Sequence, residues 1–285
     1  MGAGNSSGNQ DQIDFWNTAG GLRWTEEQEW LDAWLAAFSE AALHAAAATV
    51  GEKVIDIGCG CGATTLALGG AVGAGGQVLG VDVSAQMLAR AEQRAHAFGL
   101  ANVRFQLDDA SAAAVPAGRD LLFSRFGVMF FADPTAAFTH MRGALRSGGR
   151  LTFVCWRAFA DNPWALIPTI AALKALDVAL PKLDPHAPGP FAFADAARLK
   201  TVLANAGFAD IAIAPCEAPL TMGASVEAAA LVSMRVGPLA RVMREHDGAD
   251  LDRVLAAVAA ALAPYASPEG VVLPGATWIV TARSP

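Results

Sequence analysis

The residues best placed for chemistry lie between Val54 and Thr65, VIDIGCGCGATT. An apolar run, Val54, Ile55 and Ile57, carries one acid, Asp56, and breaks at Gly58-Cys59-Gly60-Cys61-Gly62. Ala63 to Leu68 then reads as a helix start. Strand, glycine-rich turn and helix together bring backbone close to a nucleotide-like ligand. Glycine admits positive φ and leaves no Cβ in the ligand's way, and free N–H groups at the helix start favour a negative group. Gly58-x-Gly60-x-x-Ala63 also fits the dinucleotide fingerprint, which serves a pyrophosphate. Asp56 argues against that reading, because an acid two residues before the first glycine accepts from an ammonium group, which a dinucleotide lacks. Gly62 adds a third glycine in strict alternation.

A second acid, Asp82, ends the run VLGVDV, 24 residues after Gly58. That is near the ~20-residue offset at which an acid meets ribose hydroxyls; a surface acid at a strand end is the plain alternative. Arg125 and Arg157 follow the fourth and fifth strand signals, and ligands of open α/β sheets gather at carboxyl strand ends. A guanidinium there forks onto a substrate carboxylate or, more plainly, braces a loop. Trp16 and Trp24 fall in an aromatic-rich stretch, Gln12–Trp24, read as a loop, where they cover a cofactor or pack on the following helix. His44, His140, His186 and His246 have no motif context, so no general base is assigned. Cys59 and Cys61 lack the second Cys/His pair of a zinc site, and no metal is expected.

The positioning elements alternate. A long helix is expected from an N-cap at Thr25, with Trp30, Leu31, Trp34, Leu35, Phe38 and Ala42 on one face. Strands are expected at Val54–Ile57, Val78–Val83, Val103–Leu107, Asp120–Ser124, Arg150–Trp156, Ile211–Leu220 and Thr277–Ala282. Ser84 and Asp133-Pro134 mark helix starts, Gly99 and Ser147-Gly148-Gly149 helix ends. Helical pieces run from Asn162-Pro163 to about Leu180, from Asp195 to Ala206, and from about Ser225 to Ala263. The domain division is 1–24 as lead and aromatic cap, 25–157 as core, 158–190 as a helical lid, 191–222 as core continuation, 223–270 as a second helical insertion, and 271–285 as the last strand.

At 285 residues a substantial core is available. The net charge of −7, without a block of Lys or Arg, leaves no electrostatic footprint for nucleic acid. No run approaches the ~20 apolar residues of a membrane span. The start, MGAGNSSGNQDQ, reads as a disordered lead rather than a signal peptide, and the cysteine usage suits a reducing cytoplasm.

The acid and three spaced glycines resemble the E/D-x-G-x-G-x-G motif of class I S-adenosylmethionine (SAM) methyltransferases. The runs SRFGVMFFADP, GAL-R-SGGRL-FVCW and PGA-W-VTAR are similar to one bacterial subgroup near the ubiquinone/menaquinone-type enzymes. The resemblance covers roughly Val50 to Leu220 plus the last strand. It implies a Rossmann-like α/β fold: seven strands, helices on both faces, the last strand antiparallel, with helical lid insertions. It also implies methyl transfer from SAM to a small-molecule O-, C- or N-nucleophile by in-line displacement, leaving S-adenosylhomocysteine. Carried across, it places Asp56, Gly58, Cys59, Gly60 and Gly62 at the methionine end. Asp82, Val83 and Met87 take ribose and one adenine face, and Asp109 and Ala110 the adenine edge, with Asp108 as the neighbouring alternative. Ser124, Arg125 and Phe126 fall beside the sulfonium. Base-amine methyltransferases show N/D-P-P-Y/F where this chain has Ser124-Arg125-Phe126-Gly127, which counts against a nucleic acid substrate. Trp156, Trp164, Phe191 and Tyr265 are read as lining an apolar pocket or, equally, as core packing. The competing readings are a nicotinamide oxidoreductase and a SAM-binding module without catalysis.

Overall fold

The computed structural model describes residues 7–179, 184–246 and 250–285. Four helices come first: α1 (Ser7–Asn17), α2 (Ala19–Glu26), α3 (Gln28–Trp34) and α4 (Ala36–Ala46). Then follow β1 (Lys53–Ile57), α5 (Ala63–Val72), β2 (Gln77–Asp82), α6 (Ala85–Ala97), β3 (Val103–Leu107) and β4 (Arg119–Arg125). The chain continues through α7 (Pro134–Arg142), β5 (Leu145–Trp156), α8 (Pro163–Leu176), α9 (Ala196–Asn205) and β6 (Ala209–Gly223). It closes with α10 (Val226–Arg235), α11 (Pro238–Glu245), α12 (Leu251–Leu262), the two-residue β7 (Ala266–Ser267) and β8 (Gly270–Arg283).

These elements form two compact units. One is built from the chain up to Cys155, His186–Cys216 and Trp278–Pro285; the other from Trp156–Pro185 and Glu217–Thr277. The strands lie in the order β3-β2-β1-β4-β5-β8-β6. Strands β1 to β5 pair in parallel, while Gly148 and Gly149 exchange hydrogen bonds with Ser284 in an antiparallel pair. The strand order reverses beside β1, which places ligand chemistry at the carboxyl ends of β1, β2 and β4. Strands β1 and β4 are covered on both faces, so Val54, Ile55, Ile57, Leu121, Leu122 and Phe123 are all buried. Behind them Phe138 of α7 stacks on Phe153 at 5.6 Å and meets Phe193 at 6.0 Å and Phe208 at 6.4 Å.

In the second unit α8 packs on α11 and α12, and α10 on α12. Val254, Val258 and Leu262 of α12 are fully buried. Asn162 stands at the N-cap position of α8, but its side chain reaches elsewhere. Its Oδ1 accepts from Ala276 N (2.9 Å) and from Trp164 Nε1 (2.9 Å), and its Nδ2 donates to Ala276 O (3.1 Å). The Trp164 ring lies 4.8 Å from that of Trp156, whereas Tyr265 is exposed.

Several expectations need correction. The polar lead is helical from Ser7, so Trp16 and Trp24 sit on α1 and α2 rather than in a loop; residues 1–6 lie outside the described residues. Thr25 is not an N-cap: it lies inside α2, where its hydroxyl donates to Gly21 O (2.9 Å). The single long helix is broken at Glu27 and Leu35. Gly21 is no breaker: a Cβ there would lie 2.6 Å from Ser84 Oγ, so its bareness lets α2 approach the start of α6. Ser147-Gly148-Gly149 lies within β5, after α7 has already ended at Arg142. The expected helix end at Leu180 falls outside the described residues; α8 stops at Leu176. The second helical piece is three helices, with residues 247–249 outside the description. Asp133 and Asp195 do cap α7 and α9, accepting from Ala136 N (2.9 Å) and Ala197 N (2.8 Å). No described helix is long and apolar enough to cross a membrane.

Phe138→Ala removes the ring on which this aromatic cluster converges and should cost about 3–5 kcal/mol in urea unfolding. A loss below about 1 kcal/mol would show that the cluster adds little to stability.

Candidate functional site

Asp56 lies near the carboxyl end of the central strand β1, paired with Gly80 of β2 on one side and Phe123 of β4 on the other, and is fully buried. Its Oδ2 accepts from the hydroxyls of Thr64 (2.8 Å) and Thr65 (2.7 Å), both in the first turn of α5. Its Oδ1 has no hydrogen-bond partner. Burial pushes the carboxyl up to about 6, against the two hydroxyls and the Arg125 cation, which pull it down.

The three glycines that follow divide their work. A Cβ on Gly58 would lie 2.7 Å from Gly127 Cα, and one on Gly62 would lie 2.9 Å from Ala91 Cβ. Both are bare because protein packs on them. A Cβ on Gly60 would meet only the Met87 sulfur, at 3.8 Å, so this glycine faces open space. All three have positive φ, which makes the turn costly for any other residue. Met87, also named from the sequence, is buried at that point.

Asp82 ends β2 and stitches the turn to α6: its Oδ2 accepts from Gly60 N (2.8 Å) and its Oδ1 from Ser84 N (2.9 Å). Burial pushes this carboxyl up, and the backbone donors oppose the shift. Ser84 stands at the helix start without capping it; its hydroxyl has no partner. Cys59 and Cys61 are buried in the turn, and burial raises both thiols, that of Cys61 to about 11. They are protonated small side chains there, inert as nucleophiles.

The N-terminal helices cross the ends of β2 and β3. Asn17 of α1 donates to Val83 O (2.8 Å) and accepts from Ala85 N (3.2 Å). Asn9 Nδ2 donates to the Asp109 carboxylate, whose other oxygen accepts from Ser111 N (2.9 Å); the neighbouring Ala110 is half-buried. Asp108 is exposed and turns to Asp109 N. The Trp16 ring packs edge-on against Trp24 (5.9 Å) and Phe130 (5.3 Å).

At the end of β4, Ser124 is spent on backbone: it donates to Ile57 O (2.8 Å) and accepts from Gly127 N (3.1 Å). Phe126 is held at a φ of 61°, a left-handed backbone unusual for an aromatic residue, with its ring 6.2 Å from Phe38. Arg125 is buried and committed, donating to Ser39 Oγ (3.2 Å) and facing Asp32 Oδ1 at 3.5 Å. Arg157 belongs to the second unit and pairs with Asp161 (3.2 Å) and Glu217 (2.7 Å). Of the two readings open for these arginines, substrate contact or bracing, the ion pairs show bracing within each one's own unit: Arg125 by Asp32 and Ser39, Arg157 by Asp161 and Glu217.

Asn9, Asn17, Thr64, Thr65 and Asp32 were not singled out from the sequence. Thr64-Thr65 one step beyond the glycine turn was the usable signal. A cavity of about 670 Å³ lined by Gly70, Gly73, Gly99, Asn102, Arg104 and Arg119 opens at the opposite, amino-terminal strand ends and does not touch the turn.

Comparison with known proteins fits this geometry. The profile of a methyltransferase domain family matches residues 48–183. An aklanonic acid methyltransferase of Streptomyces sp. strain C5 is 36% identical over 104 residues, which are 36% of this chain and 47% of that protein. A demethylmenaquinone methyltransferase of Geobacillus stearothermophilus is 34% identical over 100 residues, 35% of this chain and 43% of that one. The chain thus spans less than half the length of these two relatives. The crystal structure of the YcgJ protein from Bacillus subtilis superposes with a TM-score of 0.57 at 17% identity, covering 86% of this chain and 97% of that one, a likeness of fold. Residues 48–183 thus match a methyltransferase domain, and the comparisons together support a class I SAM-dependent methyltransferase.

Proposed function

We propose that this protein transfers the methyl group of SAM to a small-molecule nucleophile. The observation that carries the proposal is the Asp56 Oδ1 atom, buried and without a partner, on the strand that leads into a turn whose Gly60 has open space where a Cβ would stand. A buried carboxylate oxygen left unpaired is costly, and a ligand ammonium relieves that cost. A pyrophosphate would meet repulsion at the same atom, which disfavours the nicotinamide reading.

SAM, when bound, supplies a methyl group on a sulfonium activated for in-line displacement. The residues do the holding. Asp56 takes the ammonium, and Gly58, Cys59, Gly60 and Gly62 shape backbone around the methionine end. Each Asp82 oxygen already accepts one N–H and keeps a lone pair for a ribose hydroxyl. Val83 and Met87 border the adenine, Asp109 and Ala110 meet its edge, and Trp16 and Trp24 cover it, excluding water. Ser124 and Phe126 fix the backbone beside the reacting centre. The small-molecule substrate is supported by the relatives named for aklanonic acid and demethylmenaquinone methylation, and by Ser124-Arg125-Phe126-Gly127 in place of a base-amine clamp. No general base is assigned: His140 Nε2 is engaged with Ala113 O (2.8 Å) and His246 Nδ1 with Val242 O (2.9 Å).

Calorimetry should show binding of S-adenosylhomocysteine and none of NADH; the reverse would overturn the proposal, and transfer of labelled methyl to phenols, acids or amines would separate an enzyme from a binding module. Asp56→Asn should weaken S-adenosylhomocysteine binding about 10- to 100-fold, the worth of a charge-assisted hydrogen bond. Unchanged affinity would remove Asp56 from the site.

Protonation adds a separate check. The folded value of about 6 lies above the ordinary 3.8, so the stability Asp56 contributes is present below pH 4 and lost as pH rises through 6. The shift corresponds to about 3 kcal/mol carried by the ligand-free protein at pH 7. Asp56→Asn should therefore raise the ligand-free melting temperature at pH 7.5 while weakening binding. In the wild type, affinity should fall about tenfold per pH unit below 6; a flat profile from pH 8 to 5 would contradict this.

A further inference from the structure

Asp32 lies on α3, outside every element expected to touch the cofactor, yet it is the hub of a polar cluster reaching the glycine turn. Its Oδ2 accepts from Arg94 Nη2 (2.8 Å) and from Gln28 Nε2 (2.6 Å), and its Oδ1 faces Arg125 Nη2 at 3.5 Å. Arg94 Nη1 donates to the carbonyl of Cys61 (2.6 Å), inside the turn, and Arg90 Nε donates to Gln28 Oε1 (3.1 Å). One carboxylate thus holds a cation from α6 and a cation from the end of β4. The side chains of Asp32 and Arg94 are about one-fifth exposed, that of Arg125 less than one-tenth.

The Arg125 contact matters because of where Arg125 stands. Asp56 pairs with Phe123 across β1 and β4, and side chains two apart on a strand share a face. Arg125 is therefore on the same face as Asp56, one step toward the carboxyl end. Its cation already lowers the Asp56 carboxyl. A buried guanidinium beside a buried, half-satisfied carboxylate pairs with it unless another acid holds it back. Asp32 and Ser39 hold it.

We propose that Asp32 is a positioning residue for cofactor binding: by retaining Arg125 it keeps Asp56 Oδ1 free for the ligand ammonium, and through Arg94 it fixes the carbonyl of the glycine turn. This rests on the assignment of Asp56 to the ammonium. A merely structural role for Asp32 predicts that Asp32→Asn lowers the melting temperature and leaves the ligand affinity of the folded protein unchanged. The competition argued here predicts weaker binding that removing Arg125 as well relieves, because the released guanidinium is itself the inhibitor.

The test is calorimetric titration of wild type, Asp32→Asn and Asp32→Asn/Arg125→Met with S-adenosylhomocysteine near pH 8, with melting temperatures recorded to show that each is folded. Asp32→Asn should bind about tenfold or more weakly, as expected when a buried charge partner is lost. The double variant should bind at least about fivefold more tightly than Asp32→Asn alone. Wild-type affinity in Asp32→Asn overturns the proposal. So does a double variant as weak as the single one. Should Asp32→Asn fail to fold, the double variant decides: affinity within about tenfold of wild type supports the competition, and weaker binding overturns it. Failure of the wild type to bind the ligand would instead sink the assignment of Asp56.

Discussion

A carboxylate buried in the middle of a sheet, satisfied at one oxygen and bare at the other, is the constraint around which the first unit is arranged. Thr64 and Thr65 hold Oδ2 from the first turn of α5, which ties the helix after the turn to the strand before it. Oδ1 is left without a partner. Such a group is expensive, because burial disfavours its charged form and pushes the carboxyl up to about 6. A fold keeps an atom of this kind where binding supplies the partner that folding does not.

The surrounding hydrogen bonds serve the same end. Asp82 ties the middle glycine to β2 and α6, and Ser124 ties the end of β1 to the end of β4. Arg94 holds the Cys61 carbonyl from outside. The turn is thereby fixed from the strand on either side of β1 and from α6, so little ordering is left for ligand binding to supply. The α1–α2 segment then crosses the ends of β2 and β3 through Asn17 and Asn9. These few polar contacts are of the kind that open locally at low free-energy cost.

Much of this was legible in the sequence because it is local. The acid, the glycine spacing and the strand–turn–helix order sit within a dozen residues, and Asp133-Pro134 and Asp195 announce their helices by type and position. What was not legible depends on partners distant in the chain. A cation at the end of β4 looks free until α3 folds beside it, and only then does Asp32 claim Arg125. The lead segment lacks an apolar period, so its helix is supported by contacts with β2, α6 and Asp109 that no window of sequence displays. Thr25 carries the type of a cap, yet Gly20-Gly21 is helical here because bare backbone lets α2 lie against α1 and the start of α6.

The most direct measurement of the central claim is the number of protons exchanged when S-adenosylhomocysteine binds, obtained by calorimetry in buffers of different ionisation heat. With a carboxyl near 6 that must be ionised to receive the ammonium, about half a proton should leave the protein at pH 6 and almost none at pH 8. Release of no protons at pH 6, or uptake, would mean that the ligand does not meet a carboxylate at Asp56.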